Sequence, residues 1–327
     1  MDMSKQELNE MVKPIMSPTR REWTNIDKTI ACLLFFLHAL CIFAPFHFTW
    51  SAFWVAVVLY SITGLFGITI SYHRNLSHKS FKLPKWLEYL FSYCGVQAFQ
   101  GDPIDWVSTH RCHHQFVDTD NDPHDSNQGF WFSHITWVLD SYNLTKKVCG
   151  KYFNESKETK KYLFKETKKY LFALVTKHER PDNVKDLEKQ IFYTFIHKTY
   201  LLHPIALAVL LYMVGGLPFV LWGMCVRIVM SYHAIFMVNS VCHKWGKKQW
   251  NTTDLSRNNW WVSLLTFGEG WHNNHHAFEY SARYGLEWWQ LDFAWYVIMF
   301  LKAIGVATDV KLPTQSHKQR MKLEHIN

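Results

Sequence analysis

Charged residues are absent from one long stretch of this 327-residue chain and almost absent from a second. Between Thr29 and His73 there is no Asp, Glu, Lys or Arg, and between Thr199 and His243 the only charge is Arg227. A helix that crosses a bilayer needs about 20 consecutive apolar residues. Each stretch is therefore long enough for two spans, and the pattern predicts an integral membrane protein.

Paired cysteines are also lacking. The seven cysteines form no CxxC motif, which argues against a disulfide framework. Four of them lie in the apolar runs: Cys32, Cys41, Cys225 and Cys242. We expect these thiols to be small buried side chains in a reducing compartment.

No targeting segment is recognisable at the start of the chain. Residues 1–28 contain no apolar core, which argues against a secretory signal, and their acidic residues argue against a transit peptide. The formal net charge is +8, and no nucleic-acid-binding motif accompanies it. The basic excess therefore favours contact with an anionic membrane surface or with an acidic protein partner.

Turn signals divide each uncharged stretch into a hairpin. Pro45–Phe48 interrupts the first stretch, and Gly215–Pro218 interrupts the second. The predicted fold is all-α, with four transmembrane helices near 28–45, 50–71, 199–214 and 219–241. Because both turns lack Lys and Arg while the flanking segments are rich in them, the positive-inside rule places both termini in the cytosol.

Other segments are expected at the membrane surface or within the bundle. Trp86–Phe99, Asn259–Phe267 and Leu291–Ile304 are apolar but short, so we expect interfacial helices. Arg227 should face the bundle or snorkel, because an intramembrane charge is costly. The octapeptide KETKKYLF occurs at 157–164 and again at 165–172, which predicts a surface insert over residues 156–182.

Histidines gather in three clusters beside the uncharged stretches. The clusters are HRNLSH (His73 and His78), HRCHH (His110, His113 and His114) and HNNHH (His272, His275 and His276). In the last two, the spacing i, i+3, i+4 puts the three imidazoles on one helix face, so each cluster can aim two or three rings at one point. The spacing i, i+5 of the first is out of phase for one α-helix and suits a helix that ends or bends.

A ninth imidazole and an amide lie at the end of the predicted fourth span. Asn239 and His243 are spaced i, i+4, so both can face the clusters. The remaining ten histidines are interpreted as unrelated: His38, His47, His124, His134, His178, His197, His203, His233, His317 and His325.

Eight or nine neutral imidazole nitrogens are too many ligands for one metal ion. Structural zinc closes with four ligands, so the pattern predicts two ions. Imidazole also suits copper, iron and nickel, and the residues alone do not choose among them. Carboxylates normally orient ligating imidazoles from behind. Candidates for this role are Glu269, which is preferred, and Asp105, Asp118, Asp120 and Asp122.

Five longer motifs resemble a known family. They are GITISYHRNLSHKSFK, AFQGDPIDWVSTHRCHHQF, DPHDSNQGFWFSH, NSVCH and GEGWHNNHHAF. In these motifs the sequence is similar to the membrane-bound stearoyl-type fatty acyl desaturases, and more narrowly to the plant delta-9 acyl-lipid branch. The resemblance runs from about Asp27 to Val310, which makes residues 28–312 a desaturase domain between a cytosolic segment (1–27) and a polar tail (313–327).

The resemblance implies a cytosolic helical cap with two ferrous ions. It implies O2-dependent introduction of a cis double bond, at the delta-9 position, into a saturated acyl chain. The nine histidines would be ligands, and Asn239 would hold one ion through water. Gln100 and Trp106 match positions that line the acyl tunnel.

Two departures from the animal acyl-CoA enzymes bear on the substrate. Those enzymes carry Arg-Asp where this chain has Ser108-Thr109, and Arg-Lys where it has Ser141-Tyr142. Because those basic residues contact coenzyme A, and phosphate recognition needs such cations, their absence favours an acyl chain on a membrane lipid over acyl-CoA.

The partners and location follow from the same resemblance. The chain has no HPGG haem signature, so electrons are expected from a separate donor, namely cytochrome b5 with its NADH reductase. The expected location is the endoplasmic reticulum membrane rather than a plastid. The alternatives are an acyl-CoA desaturase, a lipid hydroxylase on the same di-iron scaffold, and a metal or haem transporter, which would need ionisable residues along its spans.

Overall fold

Helices account for all regular secondary structure in the described part of the chain. The computed structural model of the protein describes residues 23–149 and 182–322, within which only isolated bridges pair backbone segments. The predicted insert lies outside the described residues except for Asp182, and so do most of the N-terminal segment and the last five residues of the tail.

The described residues contain fourteen α-helices, numbered in chain order. They are α1 (Asn25–Phe43), α2 (Trp50–Ser61, continued as a π-helix over Ile62–Ser77), α3 (Lys85–Val96), α4 (Pro103–Phe116), α5 (Phe130–His134), α6 (Ser141–Cys149), α7 (Lys185–Glu188), α8 (Ile191–Thr199), α9 (Leu202–Val220, continued as a π-helix over Leu221–Val226), α10 (Arg227–Ser240), α11 (Trp260–Leu265), α12 (His272–Ala277), α13 (Phe293–Ala303) and α14 (Gln315–Arg320). Short 3₁₀ turns lie at Ala44–His47, Ser126–Gln128, Thr136–Leu139, Asp182–Val184 and Val241–His243.

Three helical runs of the described chain are long and apolar enough to cross a membrane. They are Asn25–His47, Trp50–Ser77 and Leu202–His243, with 23, 28 and 42 residues. A straight helix of the last length would measure about 63 Å, roughly twice the hydrocarbon thickness of a bilayer. The run is broken at Gly216, whose φ of 64° and ψ of −156° are readily adopted only by glycine.

The chain doubles back at Gly216. A β-carbon placed on Gly223 would lie 3.0 Å from the side chain of Leu211, although a straight helix would separate these residues by about 18 Å. The turn also meets the turn of the first hairpin, because the Trp222 indole N–H donates to the Ala44 carbonyl at 3.0 Å. Both hairpin turns therefore lie at one end of the bundle.

The opposite end of the bundle carries the chain segments that contain the histidines. His38 of α1 and His233 of α10 contact each other through their Nε2 atoms at 3.0 Å. Because Ala44, farther along the chain, contacts Trp222, which precedes His233, the two helices run antiparallel. The end of α10 therefore lies beside the start of α1. The outer surface is strongly apolar, with Phe35 and Phe46 exposed by 77% and 81%, which is suited to lipid rather than water.

Two sequence expectations about buried side chains have different outcomes. Arg227 faces the interior of the bundle and is 1% exposed, so that prediction is confirmed. No disulfide bond is formed among Cys32, Cys41, Cys94, Cys112, Cys225 and Cys242, as predicted. The expected burial is confirmed for Cys225 and Cys242, but Cys41 is only half-buried and Cys32 lies exposed on the outer face of α1, because an apolar run facing lipid has no need to bury every thiol.

The three segments expected to lie at the interface contain helices α3, α11 and α13. Each of these helices has a buried and an exposed apolar face. In α3, Leu87 and Phe91 are buried while Trp86 and Leu90 are exposed. Their position at a membrane surface stays a prediction.

The crossing of α2 and α3 depends on two glycines. A β-carbon on Gly67 would lie 2.3 Å from the backbone nitrogen of Gly95, and one on Gly95 would lie 2.5 Å from the ring of Tyr72. Close approach of membrane helices generally requires such small residues. The crossing matters because His73 lies on α2 less than two turns beyond Gly67.

We predict that Gly67→Ala will destabilise the folded chain by about 1–3 kcal/mol, because the added methyl group collides with backbone that cannot rotate away. The unfolding midpoint of the detergent-purified protein, followed by size-exclusion chromatography after heating, measures the effect. Val58→Ala, on the exposed face of the same helix, is the control. Equal midpoints for the two variants would show that the crossing is not tightly packed.

Candidate metal centre

The π-helical end of α2 explains the unusual spacing of the first cluster. In an α-helix, residues i and i+5 point about 140° apart. In a π-helix, the N–H of residue i+5 bonds to the carbonyl of residue i, and the two side chains lie nearly above each other. The backbone N–H of His78 donates to the carbonyl of His73 at 3.1 Å, and the ring centres are 4.9 Å apart. The expected irregularity of the helix is thus a π-helix.

Helix α4 presents the second cluster to two different sites. The Asp102 carboxylate caps its N-terminus by accepting from the backbone N–H groups of Ile104 and Asp105. His110 and His114, spaced i, i+4, turn toward His78. His113 turns instead toward His243 and His276.

Helix α12 also divides its cluster between the two sites, but its pair and its single histidine go to the opposite sites. His272 and His276 contact the ring of His243, which follows the end of α10. His275 contacts His73 and His114. Each HxxHH cluster therefore supplies an i, i+4 pair to one site and its remaining histidine to the other.

Nine histidines form two compact groups. In each group, one ring nitrogen from every member lies within 4.8 Å of all the others. The first histidine group comprises His73, His78, His110, His114 and His275. The second histidine group comprises His113, His243, His272 and His276. The groups adjoin, since the ring centres of His114 and His276 are 4.7 Å apart.

The nitrogens inside each group face one another. His275 Nε2 lies 3.1 Å from His73 Nε2 and 2.9 Å from His114 Nε2. His243 Nε2 lies 3.0 Å from His272 Nε2, and His78 Nε2 lies 2.8 Å from His110 Nε2. A neutral imidazole carries one N–H and one lone pair, so three mutually converging nitrogens cannot all be satisfied by hydrogen bonds.

Carboxylates hold the opposite edges of four rings. The Nδ1 atoms of His113, His243 and His276 lie 2.9, 3.0 and 3.1 Å from Asp122, Asp118 and Asp254. His73 Nδ1 lies 2.5 Å from Glu269. An ionised carboxylate can accept a hydrogen bond but cannot donate one. It therefore fixes the N–H of the imidazole on Nδ1 and leaves the Nε2 lone pair directed into the group.

Three of these four carboxylates were among the sequence candidates, namely Glu269, Asp118 and Asp122. Asp254 was missed, because it lies 22 residues before His276 in a loop with no recognisable motif. Asp120 is exposed, and Asp105 groups with Asp102 and His197 rather than with the nine histidines.

Glu269 is itself held by a buried cation. Arg74 is fully buried, and its guanidinium donates to Glu269 and to Asp292 at 2.9–3.3 Å. It also lies over the ring of Tyr284, 3.9 Å from the ring centre. Since Arg74 adjoins His73, the same network positions both the ligand candidate and the carboxylate behind it.

Burial and charge keep most of the imidazoles neutral. Burial, aided by neighbouring histidines, holds the pKa well below its usual value for His78, His110, His114, His272 and His275. Burial also lowers the pKa of His276 to about 4, although Asp254 opposes the shift. In His113, burial is outweighed by Asp122, which raises the pKa.

Three of the carboxylates behind the rings are held in their ionised form. Burial opposes ionisation of Asp118, Asp122 and Asp254, but hydrogen bonds from their histidine partners, and electrostatic attraction to them, hold the pKa of each far below its usual value. Imidazole nitrogens converge in front of these negative charges, an arrangement that favours cations. The residues therefore fit two metal ions with imidazole ligands.

The other predicted site residues lie on helices or turns next to the ligand candidates in sequence, and one of them contacts a ring. Trp106 stacks on His110 with ring centres 5.1 Å apart. Gln100 lines a narrow cavity together with Ile68, Thr69 and Ser231. Asn239 is half-buried one turn before His243 on α10.

Several histidines outside the nine make contacts of their own. His124 is buried beside His113 and Asp122. His38, His233 and His134 form a hydrogen-bonded chain that ends at the Ser240 hydroxyl, with steps of 3.0, 3.1 and 2.9 Å. These hydrogen bonds connect α1 and α5 to the last turn of α10.

Residues 48–303 of the chain match the fatty acid desaturase family. The palmitoyl-monogalactosyldiacylglycerol delta-7 desaturase, chloroplastic, of Arabidopsis thaliana is 58% identical over 301 residues, which cover 92% of this chain and 73% of that protein. Delta-9 acyl-lipid desaturase 1 of Arabidopsis thaliana is 50% identical over 312 residues, covering 95% and 92%. Acyl-CoA 5-desaturase AL21 of Anemone leveillei is 51% identical over 305 residues, covering 93% and 86%.

We predict that Asp118→Asn will weaken metal retention by roughly 10–100-fold, because the amide no longer fixes the N–H of His243 on Nδ1. Competition with a chelator, followed by metal analysis of the purified protein, measures the loss. Asp120→Asn, two residues away and exposed, is the matched control. Equal metal retention in both variants would remove the orienting role of Asp118.

Proposed function

The chain belongs to the fatty acid desaturase family, and we propose that its two histidine groups hold two ferrous ions that serve an O2-dependent, delta-9 desaturation of saturated acyl chains. The observation that carries the proposal is the convergence of nine imidazole nitrogens in two adjoining groups. Imidazole is a good ligand for iron, whereas zinc has no redox chemistry.

Family membership makes the chain an oxidoreductase of lipid metabolism that introduces double bonds into acyl chains. The finer assignments are proposals: the metal is iron, the product is cis, and the bond is at the delta-9 position. Relatives named as delta-7, delta-9 and 5-desaturases share about half of the sequence with this chain. Identity of this extent therefore does not fix the position of the double bond along the acyl chain.

The ligands proposed for the ions are the nine histidines, together with Asn239 through water. When bound, the ions would supply oxygen activation and removal of hydrogen from an unactivated methylene group. The protein orients the rings through Glu269, Asp118, Asp122 and Asp254. Gln100 and Trp106 are proposed to line the acyl tunnel, because Gln100 lines the cavity between the helices and Trp106 stacks on His110 of the first histidine group.

We propose four membrane spans, with the long third run divided at Gly216. The support is its length and the return of Leu211 onto Gly223. Both histidine groups, held in a helical cap, and both termini then lie on the cytosolic side. Membership of the family together with the apolar helices makes this a membrane protein, and the endoplasmic reticulum is the proposed location, although relatives include proteins named as chloroplastic.

The proposed electron donor is a separate protein, cytochrome b5 with its NADH reductase. Support comes from the chain's basic excess and from Lys244 and Lys247, which are exposed directly after His243. An acidic donor would be attracted to such a surface near the ligands.

A lipid-bound acyl chain is proposed as the preferred substrate. At the position where acyl-CoA enzymes carry Arg-Lys, the Ser141 N–H donates to the Asp27 carboxylate at 2.9 Å, and its hydroxyl contacts Thr24 at 2.9 Å. At the other position, Ser108 and Asn183 bond to each other at 2.9 and 3.0 Å. The residues at these two positions are uncharged, and the Asp27 carboxylate beside the first is buried.

We predict that His275→Ala, which removes a ligand from the first histidine group, will reduce desaturation at least about a hundredfold while the protein stays in the membrane. Loss of a direct ligand should exceed the roughly 10–100-fold effect of outer partners. Fatty-acid analysis of a desaturase-deficient yeast expressing each variant, with iron analysis of the purified protein, measures it. His317→Ala is the control, and full activity of His275→Ala would refute the di-iron assignment.

We predict faster turnover of a palmitoyl or stearoyl chain on a glycerolipid than of the same chain on coenzyme A. Each missing charge-assisted phosphate contact is worth roughly 1.5–3 kcal/mol, so two weaken capture by on the order of a hundredfold or more. Purified enzyme with reduced cytochrome b5 and labelled substrates provides the test. Faster turnover of the coenzyme A ester would overturn this preference and leave the desaturase assignment intact.

A further inference from the structure

A strained turn joins α3 to α4, immediately before the helix that carries His110, His113 and His114. Phe99 has a φ of 62° and Gly101 a φ of 105°, so two left-handed residues flank Gln100. A bulky residue such as phenylalanine rarely adopts this conformation. It persists only where surrounding contacts over-determine the backbone, which is common at functional sites.

The contacts that hold this turn come mainly from α10. The Tyr232 hydroxyl donates to the carbonyl of Phe99 at 2.5 Å. The Arg227 guanidinium donates to the carbonyl of Gln97 at 2.6 Å. A third contact involves Tyr200, the residue that directly follows α8. Its hydroxyl accepts a hydrogen bond from the backbone N–H of Gly101 at 2.9 Å.

Arg227 has a clear reason to lie buried at this place. Gln97 directly follows the last residue of α3, and the last carbonyls of a helix lack partners and carry partial negative charge. The guanidinium meets that charge through Gln97 and bonds through Nε to the carbonyl of Gly223 at 2.7 Å. Tyr232 and Arg227, five residues apart on α10, thus bind two carbonyls that lie two residues apart, one in the turn and one just before it.

The turn places Gln100 in the wall of a cavity. Its amide nitrogen donates to the carbonyl of Ser231, the residue before Tyr232, at 3.2 Å. Ile68 and Thr69 of α2 line the same cavity, and Thr69 lies one turn before His73. The position of Gln100 in the cavity wall is therefore set by the turn and by α10.

We propose that Tyr232 and Arg227 are positioning residues that fix the carbon–carbon bond at which the acyl chain is desaturated. The inference rests on the proposed function, in which an acyl chain lies in this cavity beside the ions. By holding the Phe99–Gly101 turn in its strained form, the two residues fix Gln100 against the chain. A shift of about 1 Å in a positioning group is enough to change which atoms are presented for reaction.

Tyr232→Phe is the sharpest test, because it removes one hydroxyl from a buried ring and leaves its packing intact. We expect desaturation to continue, while the fraction of product with the double bond one carbon away rises about tenfold, the ratio expected for loss of one buried hydrogen bond. Product isomers are quantified by mass spectrometry of disulfide adducts. Tyr212→Phe, on an exposed tyrosine of α9, is the matched control.

A second variant tests the other contact. Arg227→Lys keeps the charge but shortens the reach to Gln97, and we expect it to shift the isomer ratio in the same direction as Tyr232→Phe. Iron content and the amount of folded protein are measured in parallel. A role in stability alone would lower the amount of protein or product and leave the isomer ratio unchanged.

Wild-type isomer ratios in both variants would overturn the proposal, and so would an equal shift in Tyr212→Phe. Complete loss of product from Tyr232→Phe with normal iron content would also contradict it, since the hydroxyl would then be needed for the reaction itself. If the wild-type chain forms no double bond, the proposed function fails instead, so the two failures are distinguishable.

Discussion

Hydrogen bonds between ring nitrogens and buried carboxylates decide how the rest of this molecule is arranged. Asp118, Asp122 and Asp254 each fix the N–H of a histidine on Nδ1, and this leaves lone pairs directed at other lone pairs. Such a cluster repels itself unless cations lie between the nitrogens. The helices around it therefore have to satisfy two demands, which are to bring carboxylates behind the rings and to leave room for metal in front.

Several local irregularities serve this arrangement. The π-helical end of α2 brings His73 and His78 together, which an α-helix cannot do. The two HxxHH helices each contribute to both groups, so moving either helix would disturb both groups. The antiparallel packing of α1 and α10 and the crossing at Gly67 place all of these helix ends at one end of the bundle.

Much of this could be predicted from the sequence, because the chemistry is concentrated in motifs. Uncharged stretches and turn residues predict the long apolar helices. The spacing i, i+3, i+4 identifies His110, His113 and His114 as residues of one helix face. The division of that face between two groups could not be predicted, since spacing i, i+3, i+4 does not state where each ring points. Asp254 and the Tyr232–Phe99 contact depend on loops brought together only by the fold, and no local pattern marks them.

We propose that the two histidine groups hold two iron ions through imidazole nitrogen. X-ray absorption at the iron K edge, recorded on the purified chain together with its iron content, is the direct test. We expect two irons per chain, a first shell of nitrogen and oxygen, and the outer-shell scattering that is typical of several imidazoles on each ion. A single iron per chain, or a shell dominated by sulfur or carboxylate oxygen, would contradict it.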